Sequence, residues 1–139
     1  MKLKIISATL GAIGGAIAYA YGGWTESMMT LLIFMAIDYL SGLVRAGVFK
    51  ASNKSEGGAL DSKAGFKGLC RKGFILLVVL IAYRLDLLIG TTYIKDATII
   101  AFIVNELISI IENLGAMGVP MPEVIVNAIE VLKEDKKHE

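Results

Sequence analysis

Charge is absent from Ile5 through Thr25, and a helix needs about 20 residues to cross the roughly 30 Å hydrocarbon layer of a bilayer. The pattern therefore predicts a first membrane-spanning helix over 5–25. The opening Met1-Lys2-Leu3-Lys4 and the small residues around Tyr19, Ala18 and Ala20, admit a second reading as a signal peptide. Against it, the run is longer than an ordinary signal-peptide core and carries Gly11, Gly14 and Gly15, which suit a packing face. A second apolar stretch, 28–49, is interrupted by Asp38 and Arg45, and a third, 73–94, by Arg84 and Asp86. Both are long enough to span. The fourth, 97–114, contains Asn105, Glu106 and Glu112, which leaves two readings, a fourth crossing or a helix lying in the interface.

Polar positions delimit these segments. The stretch 50–72 reads as an exposed loop, with Gly57, Gly58, Gly65 and Gly68, and with Lys50, Lys54, Lys63, Lys67, Arg71 and Lys72 against Glu56 and Asp61. Beyond Gly115 and Gly118, Pro120 and Pro122 end the preceding helix, and Pro122 with Glu123 suits the first turn of a new one. The tail, 122–139, is predicted as an amphipathic helix. Val124, Ile125, Ala128, Ile129, Val131 and Leu132 take one side, and Glu123, Asn127, Glu130 and Glu134 the other. The expected fold is an all-α integral membrane protein, a single domain over 1–139. It is a small bundle of about four transmembrane segments, or three if the fourth lies at the interface, plus the C-terminal amphipathic helix.

Composition supports lipid as the solvent. The 139 residues are 55% hydrophobic and 19% charged, with a mean hydropathy of +0.67, where a soluble domain carries about a quarter charged residues. The 14 Lys and Arg nearly cancel the 13 Asp and Glu, for a net charge of +1, so no long-range attraction for nucleic acid is expected. The placement of basic residues is more informative. Lys2 and Lys4 precede the first span, the central loop is basic, and Lys133, Lys136 and Lys137 end the chain, leaving Lys95 on the opposite side. With four spans the positive-inside rule puts both termini in the cytoplasm. A lone Cys70 and a lone His138 rule against an internal disulfide and a zinc site, and no phosphate-binding loop or serine elbow is present. Neither enzymatic activity nor a cofactor is expected.

Within the spans, four constellations stand out. Gly11 and Gly15 form a GxxxG with Ala8, Ala12 and Ala16 nearby, a surface for close helix approach within or between subunits. Asp38, Ser41, Gly42, Arg45 and Ala46 fall on one helical stripe. A carboxylate inside a bilayer costs about 2.5–3.5 kcal/mol on insertion scales and turns toward a partner or a wet cavity. Arg84 is the expected partner of Asp38, with Arg45 snorkelling to the interface. Arg84 and Asp86 point to different sides of their helix, so Asp38 and Glu106 are expected to approach Arg84 and leave Asp86 to water or a neighbouring subunit. In the fourth segment Thr98, Asn105, Glu106, Ser109, Glu112 and Asn113 share an arc of about 120°, opposite an isoleucine- and leucine-rich arc. The polar arc suits an aqueous lumen or a polar seam within the bundle.

The ordered set of these motifs resembles the phage holins of the branch that includes clostridial toxin-secretion holins. The resemblance rests on 38–42 (DYLSG) with Ala46, on 60–72 (LDSKAGFKGLCRK), on Leu85-Asp86, and on 105–115 (NELISIIENLG) with Pro120 and Pro122. It covers roughly 30–132. It implies a small non-enzymatic protein of the bacterial inner membrane that accumulates, assembles into homo-oligomeric lesions and lets an endolysin, or in the toxin-secretion branch a toxin, leave the cell. The residues expected to serve assembly or line the lumen are Gly11, Gly15, Asp38, Gly42, Arg84, Asp86, Asn105, Glu106, Ser109 and Glu112. Two other readings share features with it. One is a small ion-coupled transporter or channel subunit using Asp38, Arg84 and Glu106, although no internal repeat supports it. The other is an antiholin-type regulator of the same family.

Overall fold

The structure is a computed structural model that describes residues 1–138. Among the described residues it holds five α-helices and no strand: α1 Lys2–Ala20, α2 Glu26–Gly47, α3 Ser62–Ile89, α4 Ile94–Ala116 and α5 Glu123–His138, with a 3₁₀ turn at Glu56–Gly58. Two helices, α1 and α2, are long and apolar enough to cross a membrane on length and composition. Glu139 lies outside the described residues.

Local chemistry sets the ends. The Thr25 hydroxyl accepts from the Met28 amide at 3.3 Å to start α2, a side-chain cap for one of the four otherwise unpaired amides. Asp61 accepts from the Lys63 amide at 2.9 Å to start α3. This start lies inside the segment expected to be loop, so the basic residues from Lys63 to Lys72 are helical. The loop sequence was polar because the first turns of α3 are largely exposed, not because they are irregular. At the other end α3 stops at Gly90, in the left-handed conformation at φ 82° that a Cβ disfavours. The expected third span continued to Ile94; the turn after Gly90 instead separates α3 from α4.

The core sits between α2, α3 and α4. Met28, Leu31 and Met35 of α2 pack with Val79 of α3 and with Ile99 and Ile103 of α4, and Tyr21 closes one end. Residues near the start of α2 therefore meet residues near the start of α4, while Gly42 near the end of α2 lies beside Asn113 near the end of α4. The two helices run parallel, with α3 antiparallel to both. After the turn at Gly118, φ 80°, α5 folds back along α4 and buries Ile129. The amphipathic tail thus covers part of the apolar arc of α4 within the same chain.

The first helix stands apart. It buries none of its residues, and Leu3, Ile5, Ile6, Leu10, Ile13 and Ile17 are all exposed. Only its C-terminal junction is tied to the bundle. The Tyr21 hydroxyl donates to the Leu76 carbonyl of α3 at 2.7 Å, and Gly22 leaves room for the Tyr83 ring, which a Cβ at that position would meet at 2.3 Å.

Candidate functional site

Near the midpoints of α2, α3 and α4 the core is ionic. The Lys72 ammonium on α3 donates to Asp38 Oδ2 of α2 at 2.7 Å and to Glu106 Oε2 of α4 at 2.6 Å. The three side chains are 14%, 8% and 7% exposed, so one cation ties together two carboxylates away from solvent. The network continues toward the 48–61 connection. Asn113 Nδ2 donates to Asp38 Oδ1 at 3.1 Å, to the Asp38 carbonyl at 3.2 Å and to Ser41 Oγ at 3.0 Å. Arg45 Nη1 donates to Asn113 Oδ1 at 3.3 Å, and Arg45 Nε to the Ala51 carbonyl at 2.7 Å.

The helical period explains the convergence. Asp38, Ser41, Gly42 and Arg45 share a stripe of α2, and Glu106, Ser109 and Asn113 share one of α4. Because α2 and α4 are parallel, the stripes align in register. Gly42 has the smallest side the seam can offer; a Cβ there would stand 3.6 Å from Asn113 Nδ2. Two carboxylates are balanced by Lys72 and, through Asn113, by Arg45. No fully buried side-chain nitrogen or oxygen among the described residues lacks a hydrogen-bond partner, as a buried polar network requires.

The expected Asp38–Arg84 pairing is not what forms. Arg84 is exposed, and its place beside Asp38 and Glu106 is taken by Lys72. Arg84, two residues from both Ala82 and Asp86, points about 160° away from the face that Val79, Ala82 and Asp86 bury, whereas Lys72 continues that face. Asp86 likewise has an internal partner in place of water or a neighbouring subunit. Its carboxylate accepts from Thr91 Oγ1 at 2.6 Å and from the amides of Ile94 and Lys95 at 2.9 and 2.8 Å, capping the positive end of α4. Beside it the buried Lys95 ammonium donates to the Tyr21 carbonyl and stands 5.2 Å from the centre of the Tyr83 ring.

The polar arc of α4 divides. Glu106 and Asn113 turn into the bundle and Ser109 is half-buried, while Asn105 and Glu112 are exposed. Gly11 and Gly15 have open space around them, with no neighbour within 4 Å of an added Cβ. Lys72, Asn113, Ser41 and Arg45 belong to the network without being among the residues expected to serve assembly or line the lumen. No cluster suited to a metal ion occurs among the described residues.

Comparison with known proteins bears on what this arrangement serves. The model of the Bacteriophage holin family matches residues 15–134. The chain belongs to the bacteriophage holin family. The match includes α2 to α4 whole, and hence every member of the ion cluster. This holin-family chain is 39% identical to an uncharacterized protein of Halalkalibacterium halodurans, over 96% of each chain. It is 38% identical to an uncharacterized protein of Listeria innocua, over 99% of this chain and 94% of the relative. A protein of Bacillus phage phi105 named a probable holin is 31% identical, over 85% of this chain and 82% of its own. No solved structure matches. The holin family is not an enzyme family, and membership in it accords with the two apolar helices long enough to cross a membrane.

Proposed function

We propose that the chain is a holin: a multi-pass protein of the bacterial cytoplasmic membrane that accumulates, assembles with copies of itself and opens lesions through which an endolysin, or a toxin, leaves the cell. The family match over residues 15–134 carries this reading. In it α1 to α4 cross the bilayer, with the N-terminus, the 48–61 connection, the basic first turns of α3 and the start of α5 in the cytoplasm.

The ion cluster supplies a physical route from a harmless state to an open one. In the closed subunit Lys72, Asp38 and Glu106 satisfy one another, which removes the cost of placing charge at the level of the acyl chains. When subunits assemble around water, the same groups exchange these partners for solvent at little cost, and Ser109 and Glu106 join the exposed Asn105 and Glu112 in facing the opening. The transition needs no new chemistry, only a change of partner from protein to water.

The test is induction of the chain in a bacterium, with and without a cytoplasmic endolysin, following membrane potential and turbidity. Delayed, abrupt depolarisation, with lysis only when endolysin is present, is the expected result. Growth with an intact potential would instead identify an antiholin-type regulator, and immediate graded depolarisation a small channel. The transporter reading is less favoured because Arg84 stands outside the cluster that Asp38 and Glu106 share.

A further inference from the structure

Several apolar surfaces of this chain have no partner within it, the outer face of α3 with Phe74, Ile81 and Leu88 among them, and two of the others differ in shape, a projecting helix and a groove. One is α1. The other is a groove of about 940 Å³ between α2, α4 and α5, lined by Phe34, Ile37, Leu107, Ile110, Ile125 and Ile129 among others. None of its lining residues comes from α1 or α3.

We propose that α1 of one copy docks in the α2–α4–α5 groove of a second copy, a head-to-tail contact; this rests on the holin reading and names the surfaces by which it assembles. Three observations select this occupant. The first is reach. The junction after α1 is held to α3 and α4 by the Tyr21–Leu76 and Lys95–Tyr21 hydrogen bonds, which fixes where α1 leaves the bundle, and from there none of its residues lines the groove of its own chain.

Length and polarity form the second. The 19 residues of α1 extend about 28 Å at 1.5 Å per residue, enough to follow the groove along α4 from Ile100 to Leu114, about 21 Å. The hydroxyls of Ser7 and Thr9 are already bonded to the carbonyls of Leu3 and Ile5. Neither of these hydroxyls would therefore be stranded in an apolar site, and Lys2, Lys4 and Tyr19 lie at the two ends of the helix.

The third is charge. Copies inserted in one orientation bring Lys2 and Lys4 of α1 to the cytoplasmic end of the groove, where Glu123 begins α5. Pairing α1 with α1 in the same membrane would instead set the lysines of both copies side by side. A contact between two different surfaces repeats, closing into rings or extending into arrays, whereas α1–α1 pairing stops at a dimer and leaves the groove vacant.

The full chain tests this in membranes. Cys70 is exposed and free, so Cys70→Ala is the background. Ala12→Cys and Leu107→Cys, each on a separate chain, are co-expressed and oxidised, with Ala8→Cys and Ile110→Cys as a second pair. The expected result is a mixed disulfide dimer on co-expression, no dimer from either chain alone, and a ladder when both cysteines share one chain. Glu123→Lys on the groove-bearing chain is expected to lower the mixed product about two- to fivefold, the scale of an exposed charge pair. Dimers of Ala12→Cys alone overturn the proposal in favour of α1–α1 pairing. So does absence of mixed product from both pairs in cells that lyse and whose membranes yield multimers with an amine cross-linker, which leaves the holin reading standing and assigns the groove to lipid. Absence of multimers together with absence of lysis removes both.

Discussion

The Lys72 ammonium of α3 donates to a Glu106 carboxylate oxygen of α4 at 2.6 Å, in the middle of a bundle whose surroundings are apolar. Since the same nitrogen also holds Asp38, Lys72 bridges the carboxylates of both other core helices. Lys72→Met leaves two buried carboxylates facing each other without a counter-charge, and breaking a buried pair from one side costs about 3–5 kcal/mol. Thermal unfolding of the detergent-solubilised protein is expected to shift down accordingly, and lysis to begin earlier. The triple variant Lys72→Met, Asp38→Asn, Glu106→Gln is expected to recover most of the loss, because replacing a whole buried ion group is far less costly than removing one member. Equal losses in the single and triple variants would show that the ion pairs are not the source.

Arg84 supplies the contrast. It is exposed and has no bonded partner in the cluster, so Arg84→Gln is expected to change unfolding by no more than about 0.5 kcal/mol, the range of surface substitutions. A loss comparable to that of Lys72→Met would place Arg84 back in the cluster. Why Arg84 looked like the partner is instructive. Hydropathy marks where a chain meets lipid, and it ends the third apolar run at Gly73, leaving Lys72 with the loop. Helical period marks which face is buried, and Lys72, Val79 and Asp86 recur at heptad spacing on the face that α3 turns inward. The stripe of α2 and the arc of α4 were legible because each lies inside one apolar run. Their common partner was not, since it sits where hydropathy and periodicity disagree. The unpartnered state of α1 and the return of α5 along α4 were also out of reach, because an amphipathic pattern tells which face is covered and not by what.

Asp86 tests the outer end of the bundle. Its carboxylate receives two amides and a hydroxyl at the start of α4, and the Lys95 amide is buried. Asp86→Ala strands these donors, at about 1–3 kcal/mol for a buried group left unpaired. Hydrogen exchange at the amides of Ile94 and Lys95 is expected to quicken more than exchange near Ile110. Asp86→Asn keeps an acceptor and is expected to lose less, by the difference between a charged and a neutral cap. Uniform quickening along the whole of α4 would mean that Asp86 acts on global stability and not as a local cap.

Glycines separate packing inside the subunit from packing between subunits. At Gly42 an added methyl would sit 3.6 Å from Asn113 Nδ2, ordinary contact, so Gly42→Ala is expected to be tolerated. Gly42→Leu forces α2 from α4 at the ion network, and overpacking of this kind costs about 1–3 kcal/mol. Gly11 and Gly15 meet nothing within 4 Å in their own chain, so Gly11→Leu and Gly15→Leu are expected to leave the unfolding of the solubilised monomer unchanged. Any delay of lysis or loss of multimers in those two variants must therefore arise between copies, where a leucine on α1 would keep another helix from close approach. Melting shifts at Gly11 or Gly15 as large as that of Gly42→Leu would instead place α1 against its own bundle. Lysis and multimer yields unchanged by both leucines would show that the α1 glycines are not where copies meet.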